Sequence, residues 1–290
     1  MSDLILDEKK RVIFVVQTKT SRFTKRCVWL AKKVCDKKQP AVNKGVNGYS
    51  DWLILSLHGL KQYLDHTYRK LMDVLKEMSR ITRYLGVKPE NLPHYSTVCN
   101  SIQQINTIEC RKMLKFSTNF QENGDIQAID ASGFDRSRFS NKYRKRTGYK
   151  FKAIKTSLLV DCKTNQILDL SISTKQPHDT KAADTLLKKN LDKINILTAD
   201  KGYDSGKLRK NLRSNNIRPV IKHREFTSLD KAHNARIDDD VYHQRSNVES
   251  VFSSLKQRYN DRLLSKKWYN QYKEIVLKCV VKNIEDSIKN

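Results

Sequence analysis

The chain has 290 residues, 38% of them apolar, which is enough for one large domain or two of ordinary size with a real core. Lysine and arginine number 57 against 31 aspartates and glutamates, a formal net charge of +26. Such a balance points to a polyanionic partner, because basic side chains neutralise phosphates and release their counterions. No stretch approaches the ~20 apolar residues of a membrane span. The run Val12–Val16 is too short for a secretory core, so a cytoplasmic, nucleoid-associated location is expected.

Residues 1–48 are basic and weakly patterned, and 36–48, rich in Lys, Asn and Gly, read as a loop or linker. A helical pattern runs from Ser50, a good N-cap, through Leu53, Leu57, Leu60, Leu64, Tyr68, Leu71 and Leu75 to about residue 85. Gly86 and Pro89 stop it. After Pro93 a second helix, capped by Ser96 or Thr97, carries Val98, Ile102, Ile105 and Ile108. This arrangement is compatible with a helix-turn-helix or with a plain helical bundle.

The pattern changes at Gly124. Residues 126–130 read as a short strand ending on Asp130, with the turn at residues 131–133 and a basic loop through Arg136, Arg138, Lys142, Arg144, Lys145 and Arg146. A strand over 149–160, a hairpin turn at 161–165 and a returning strand over 167–173 follow. Then come a helix from about 181 to 191, a strand over 194–200 ending on Asp200, a helix over 205–215 and a strand over 218–221. A loop, first basic and then acidic, leads to the last two helices, the final one over about 269–288. The order β, β-hairpin, α, β, α, β, α makes a mixed α/β layer. Six cysteines (Cys27, Cys35, Cys99, Cys110, Cys162, Cys279) form no Cys-x-x-Cys pair and read as reduced, mostly buried thiols.

The most informative segment is 240–256. Placed on one helix at roughly 100° per residue, Tyr242, Arg245, Glu249 and Lys256 share a narrow sector, and Val248, Val251, Phe252 and Leu255 form the stripe to be buried. A carboxylate flanked by two cations and a phenol suits a metal ion beside a phosphate; the alternative is an ordinary solvated polar face. Asp130 and Asp200 each end an apolar strand, where open α/β sheets place ligands. If those strands are parallel neighbours, their carboxylates face each other, and Glu249 is the candidate third. Three carboxylates near a phosphate would bind one or two Mg²⁺ ions, which prefer oxygen ligands. Singly, each Asp also reads as a turn former. Asp161 ends a strand too, but a hairpin turn explains it, and His178 with Asp179 most simply caps the following helix.

The spacing Tyr242-x₂-Arg245-x₃-Glu249-x₆-Lys256 resembles the signature of DDE transposases of prokaryotic insertion sequences, in the group known as families four and five. Residues 129–134 are similar to the segment bearing that family's first catalytic Asp, 199–204 to the second, and 177–179 to its His-Asp turn. The resemblance covers about residue 124 to the C-terminus. It implies a ribonuclease-H-like mixed sheet flanked by helices (123–290), preceded by a mainly helical DNA-binding and dimerisation region (1–122). It implies Asp130, Asp200 and Glu249 as catalytic metal ligands for a pair of Mg²⁺ ions, with Mn²⁺ as a substitute. Tyr242, Arg245 and Lys256 are implied as contacts to DNA phosphates. The implied partners are double-stranded DNA, as inverted-repeat element ends and target, and a second copy of the chain. The implied reaction is strand cleavage at the element ends and joining of the 3′-hydroxyl to target DNA. Residues 201–248 leave no room for the large β-strand insertion of some relatives, so their hairpin-ended excision route is not carried over and the route stays open. A DNA-binding protein without cleavage, and a processing nuclease on the same fold, are the competing readings.

Overall fold

The computed structural model describes residues 2–6, 12–35, 39–42, 48–136, 141–148 and 152–289. It has two units, one of residues 1–113 with 284–290, the other of residues 114–283. The chain opens with an antiparallel ribbon, β1 (Ser2–Leu6) and β2 (Val12–Val16), and a helix, α1 (Lys19–Val34), capped by the Thr18 side chain accepting from the Ser21 N–H. Weak patterning had announced neither. α1 buries Phe23, Cys27, Leu30 and Ala31. It approaches the next helix, α2 (Asp51–Tyr63), so closely that a Cβ on Gly59 would lie 2.6 Å from Cys27 Sγ.

The single helix expected over 50–85 is three: α2, α3 (Tyr68–Glu77) and α4 (Ser79–Tyr84). Asp65 takes a left-handed φ of 50°, which Asp tolerates because its short polar side chain bonds locally. Thr67 then caps α3 by accepting from Lys70 N–H. The leucine rhythm runs across the breaks because each helix feeds the same core: Leu53, Leu57, Leu60, Leu71 and Leu75 are all fully buried. Each contributes roughly 1.5–3 kcal/mol of transfer free energy. The helix expected after Pro93 is likewise split, into α5 (Tyr95–Ser101) and α6 (Thr107–Ser117).

The second unit is built on a five-stranded sheet. Its strands are β3 (Ile126–Phe134), β4 (Ile154–Asp161), β5 (Ile167–Ser173), β6 (Ile196–Ala199) and β7 (Arg218–Ile221). Their order is β5-β4-β3-β6-β7; β3–β4 and β4–β5 are antiparallel, β3–β6 and β6–β7 parallel. Three antiparallel strands extended by two parallel ones, with helices on both faces, make a ribonuclease-H-like fold. Between β3 and β4 lies α7 (Asn141–Thr147), in a region expected to be loop; the Arg138 and Tyr149 of that expectation fall outside the described residues.

The helices after β5 are α8 (Asp179–Leu187), α9 (Gly206–Ser214), α10 (Ser228–Ala235), α11 (Asp239–His243), α12 (Ser246–Tyr259) and α13 (Trp268–Ser287). Side chains alternate between the faces of a strand. Ile129, Leu159, Leu197 and Ala199 join Ala183, Leu186, Leu187, Leu208 and Leu212 of α8 and α9 in one core. The residues between them, Asp130 and Ser132 among them, turn to the opposite face, where Lys256 of α12 meets Ser132. On the outer strand β5, the fully buried Asn283 of α13 accepts from Ile167 N–H and donates to its carbonyl, each at 2.9 Å. Outer strand β7 carries Pro219.

Candidate active site

β3 does not end at Asp130, as the sequence reading expects. It runs on to Phe134, because residues 131–134 pair with residues 154–157 of β4. What ends is the pairing with β6: Ile129 opposite Ala199 is the last parallel pair. Asp130 and Asp200 therefore follow one another across the opening where β6 leaves the sheet. Asp200 also caps the 3₁₀ turn Lys201–Tyr203, its side chain accepting from Gly202 N–H. It has the turn role and the site position together.

Asp130 is partly buried, and its carboxyl is pushed from 3.8 to about 6. Burial is the main cause; a hydrogen bond from the Ala131 amide opposes it, and the charges of Asp200, Glu249 and Asp179 add to it. Four carboxylates thus share one negative field, the condition in which a cation is stabilising. Oxygen-only donors of this kind fit Mg²⁺ or Mn²⁺. The carboxylates are not yet gathered: among the described residues no three acidic, His or Cys side chains lie close enough together to hold an ion. One cause is visible in the positions. Glu249 Oε1 accepts from Arg245 Nη1 at 2.7 Å, one helical turn away. Glu249 is more than half exposed, and such a pair is worth only about 0.3–0.5 kcal/mol. Turning the carboxylate inward therefore costs little.

The segment 240–256 is not one helix. α11 and α12 meet at Gln244–Arg245, where tight i to i+3 bonds (Arg245 N to Tyr242 O at 3.1 Å, Asn247 N to Gln244 O at 3.0 Å) replace the regular ladder. The bend lets the Tyr242 carbonyl accept from Thr198 of β6 and the Gln244 carbonyl from Cys162. Its effect is to bury Tyr242, 7% exposed, with Lys222 Nζ 4.5 Å and Arg245 Cζ 5.4 Å from its ring centre. Arg245 and Glu249 stay together on the open side. Lys256 reaches across to donate to Ser132 Oγ at 2.7 Å, two residues beyond Asp130 on the same strand face.

Lys155 and Tyr203 were not singled out from the sequence, and Asp179 was read only as a cap and part of a turn motif. Asp179, read as a helix cap, pairs with Lys155 at 2.7 Å, and Lys155 also donates to the Pro177 carbonyl; His178 is the residue that caps α8. Tyr203, 1% exposed, has a hydroxyl with no hydrogen-bond partner among the described residues. Its ionisation is pushed far up by burial and then by Asp130, Asp179 and Asp200. The advance signal for Tyr203 was its place in the 199–204 motif, and that for Asp179 its place in the 177–179 turn motif. Asp161 behaves as expected, accepting from Thr164 N–H and Thr164 Oγ1 in the hairpin, and it also accepts from Gly124 N–H.

A ribonuclease-H-like sheet with Asp130 and Asp200 just past the last parallel pair of β3 and β6 is compatible with a DDE-type domain. The family model described as the transposase DDE domain matches residues 122–284, more than half of the chain, and the chain belongs to that family. It is a transposase. Comparison with curated protein sequences returns no significant match. Among solved structures, the piggyBac transposase synaptic complex with hairpin DNA aligns over 91% of this chain and 72% of that one, with 13% identity and a TM-score of 0.46. A chain of the simian T-cell lymphotropic virus intasome complexed with PP2A regulatory subunit B56 gamma aligns over 52% of this chain and 55% of that one, with 14% identity and a TM-score of 0.26. No helix among the described residues is long and apolar enough to cross a membrane.

Proposed function

We propose that this chain is an active transposase of the insertion-sequence type. It binds the ends of a mobile element as double-stranded DNA, hydrolyses strands there and joins the freed 3′-hydroxyls to target DNA. The reading rests on one observation above all: Asp130 and Asp200 follow the last residue pair of two adjacent parallel strands, with the Glu249 charge felt at Asp130. Asp130, Asp200 and Glu249 would hold two Mg²⁺ ions, or Mn²⁺ in their place. Bound there, the ions supply activation of the attacking oxygen and stabilisation of the leaving one.

The remaining steps belong to side chains. Arg245 exchanges Glu249 for a DNA phosphate, which frees the carboxylate and places the guanidinium where a bidentate phosphate contact is strongest. Lys256, beside Ser132, meets a second phosphate oxygen. Tyr242, buried with Lys222 and Arg245 against its ring, steadies Arg245, and its contact to the cleaved end would require the bend between α11 and α12 to open. Two copies of the chain engage the two ends of the element, in the cytoplasm and at the nucleoid.

The test is a gel assay on the DNA that flanks the gene, with Mg²⁺ or Mn²⁺, comparing wild type with Glu249→Gln. The expected result is metal-dependent cutting at the boundary of short inverted repeats, reduced in the variant by at least about 10³-fold, the several kcal/mol a metal ligand supplies. DNA binding is retained. Binding without any cutting by wild type would favour the other reading, a DNA-binding protein that does not cleave, in which the Arg245–Glu249 pair is the resting and final state.

A further inference from the structure

Behind the sheet from α12 lies a cleft of about 800 Å³ whose lining includes Arg209, Lys210, Arg213, His223 and His233 and no acidic side chain. It is a made feature rather than a chance run of charge. Arg209, Lys210 and Arg213 stand at helical spacing on α9, while Leu208 and Leu212 on the other side of that helix enter the core. The other wall is pinned by Asn234. Its side chain accepts from His223 N–H at 2.7 Å and donates to the His223 carbonyl at 3.0 Å, and the two histidine rings meet edge to face at 4.1 Å.

The acids nearby are already committed. Asp204 pairs with Arg209, accepts from Arg224 N–H and lies 3.6 Å from His223 Nδ1, which is also 3.9 Å from Asp230. Glu225 pairs with Lys201 at 2.7 Å, and Asp230 closes the capping box with Thr227. Lys210 and Arg213, both exposed, meet no carboxylate among the described residues. His233 is held below its ordinary value first by burial and then by His223, Arg209 and Arg213, with Asp204 opposing.

We propose that this cleft is a second DNA-backbone site, in which Lys210 and Arg213 neutralise phosphates of duplex DNA away from the cut. The inference rests on the transposase reading and adds to it. The face decides which phosphates these are. α9 shares a core with Ile129 and Ala199, so it lies on the side of the sheet opposite the one Asp130 faces. A phosphate held here is not the scissile one. The contact reads charge and not base edges, so it serves any sequence.

The experiment measures binding of wild type, Lys210→Ala/Arg213→Ala and a control, Lys163→Ala/Lys189→Ala, to a duplex oligonucleotide of unrelated sequence over a range of salt. All four positions are exposed and the two double variants lose the same charge; alanine on α9 keeps the helix. For the cleft variant, the slope of log affinity against log salt is expected to fall by roughly 0.9 per lost contact, about 1.8 in all, with a loss of affinity on the order of tenfold. The control keeps the wild-type slope. Equal slopes for wild type and the cleft variant would overturn the site, and so would an equal fall in the control, which would make the effect one of net charge. If wild type binds no duplex at all, the transposase reading fails first and takes this one with it.

Discussion

Replacing Asp130 with asparagine keeps the shape of the side chain and removes the charge that its surroundings oppose. The carboxyl stands at about 6 in the folded protein against 3.8 ordinarily. At 1.36 kcal/mol per pK unit the ceiling is about 3 kcal/mol, and since Asp130 is only partly buried, screening reduces it to about 1–2 kcal/mol. The folded state binds this proton more tightly than the unfolded chain does. Wild-type stability therefore has its full value below about pH 4, falls as pH rises to about 6, and is level beyond that as far as this group is concerned. Asp130→Asn lacks that fall. At pH 7.5, without divalent metal, it is expected to melt roughly 3–6 °C above wild type, with the gap closing near pH 4. Adding Mg²⁺ narrows the gap at pH 7.5, because the ion relieves in wild type the repulsion the variant never had. The assay is thermal denaturation followed by circular dichroism between pH 4 and 8. A variant less stable than wild type at pH 7.5, or a gap that does not change with pH, would refute the account of Asp130 as a carboxylate held in a shared negative field.

Arg245→Ala releases Glu249 and removes a phosphate contact, so Mn²⁺ affinity by calorimetry is expected to rise about twofold, the worth of a surface pair. Over the same substitution, affinity for element-end DNA falls about tenfold. Asn283→Leu strands the Ile167 amide and carbonyl and leaves Ser117 Oγ without the donor it now meets at 2.9 Å. Unfolding in urea should show a loss of about 2–4 kcal/mol, a buried backbone pair left unsatisfied, and a loss under 0.5 kcal/mol would argue against the clamp.

The catalytic unit was largely legible because its elements are short, strongly patterned and bounded by turn formers. The strands over 167–173 and 218–221, the helix over 205–215 and the final helix lie within a residue or two of where the pattern puts them. The end of β3 was not, since Ala131, Ser132 and Gly133 favour a turn locally and are held extended only by β4, whose pairing is a long-range fact. The breaks within 50–85 escaped for the opposite reason: the leucine rhythm continues across Asp65 and Met78 and no Gly or Pro marks them. The bend between α11 and α12 is set by Thr198 and Cys162, residues more than 40 positions away in sequence. Of the site, the acids could be read from strand ends and motif spacing; the Arg245–Glu249 pairing follows from their i, i+4 spacing, but the burial of Tyr242 follows only from the bend.

The two margins of the sheet share a property that bears on how copies of this chain can associate. On β5 the Ile167 amide and carbonyl are taken by Asn283, and on β7 Pro219 offers no N–H. A strand from another molecule would find the hydrogen-bonding frame interrupted on both sides, the means by which natural sheets avoid joining edge to edge. A chain with a net charge of +26 is thereby kept from polymerising through its own sheet edges.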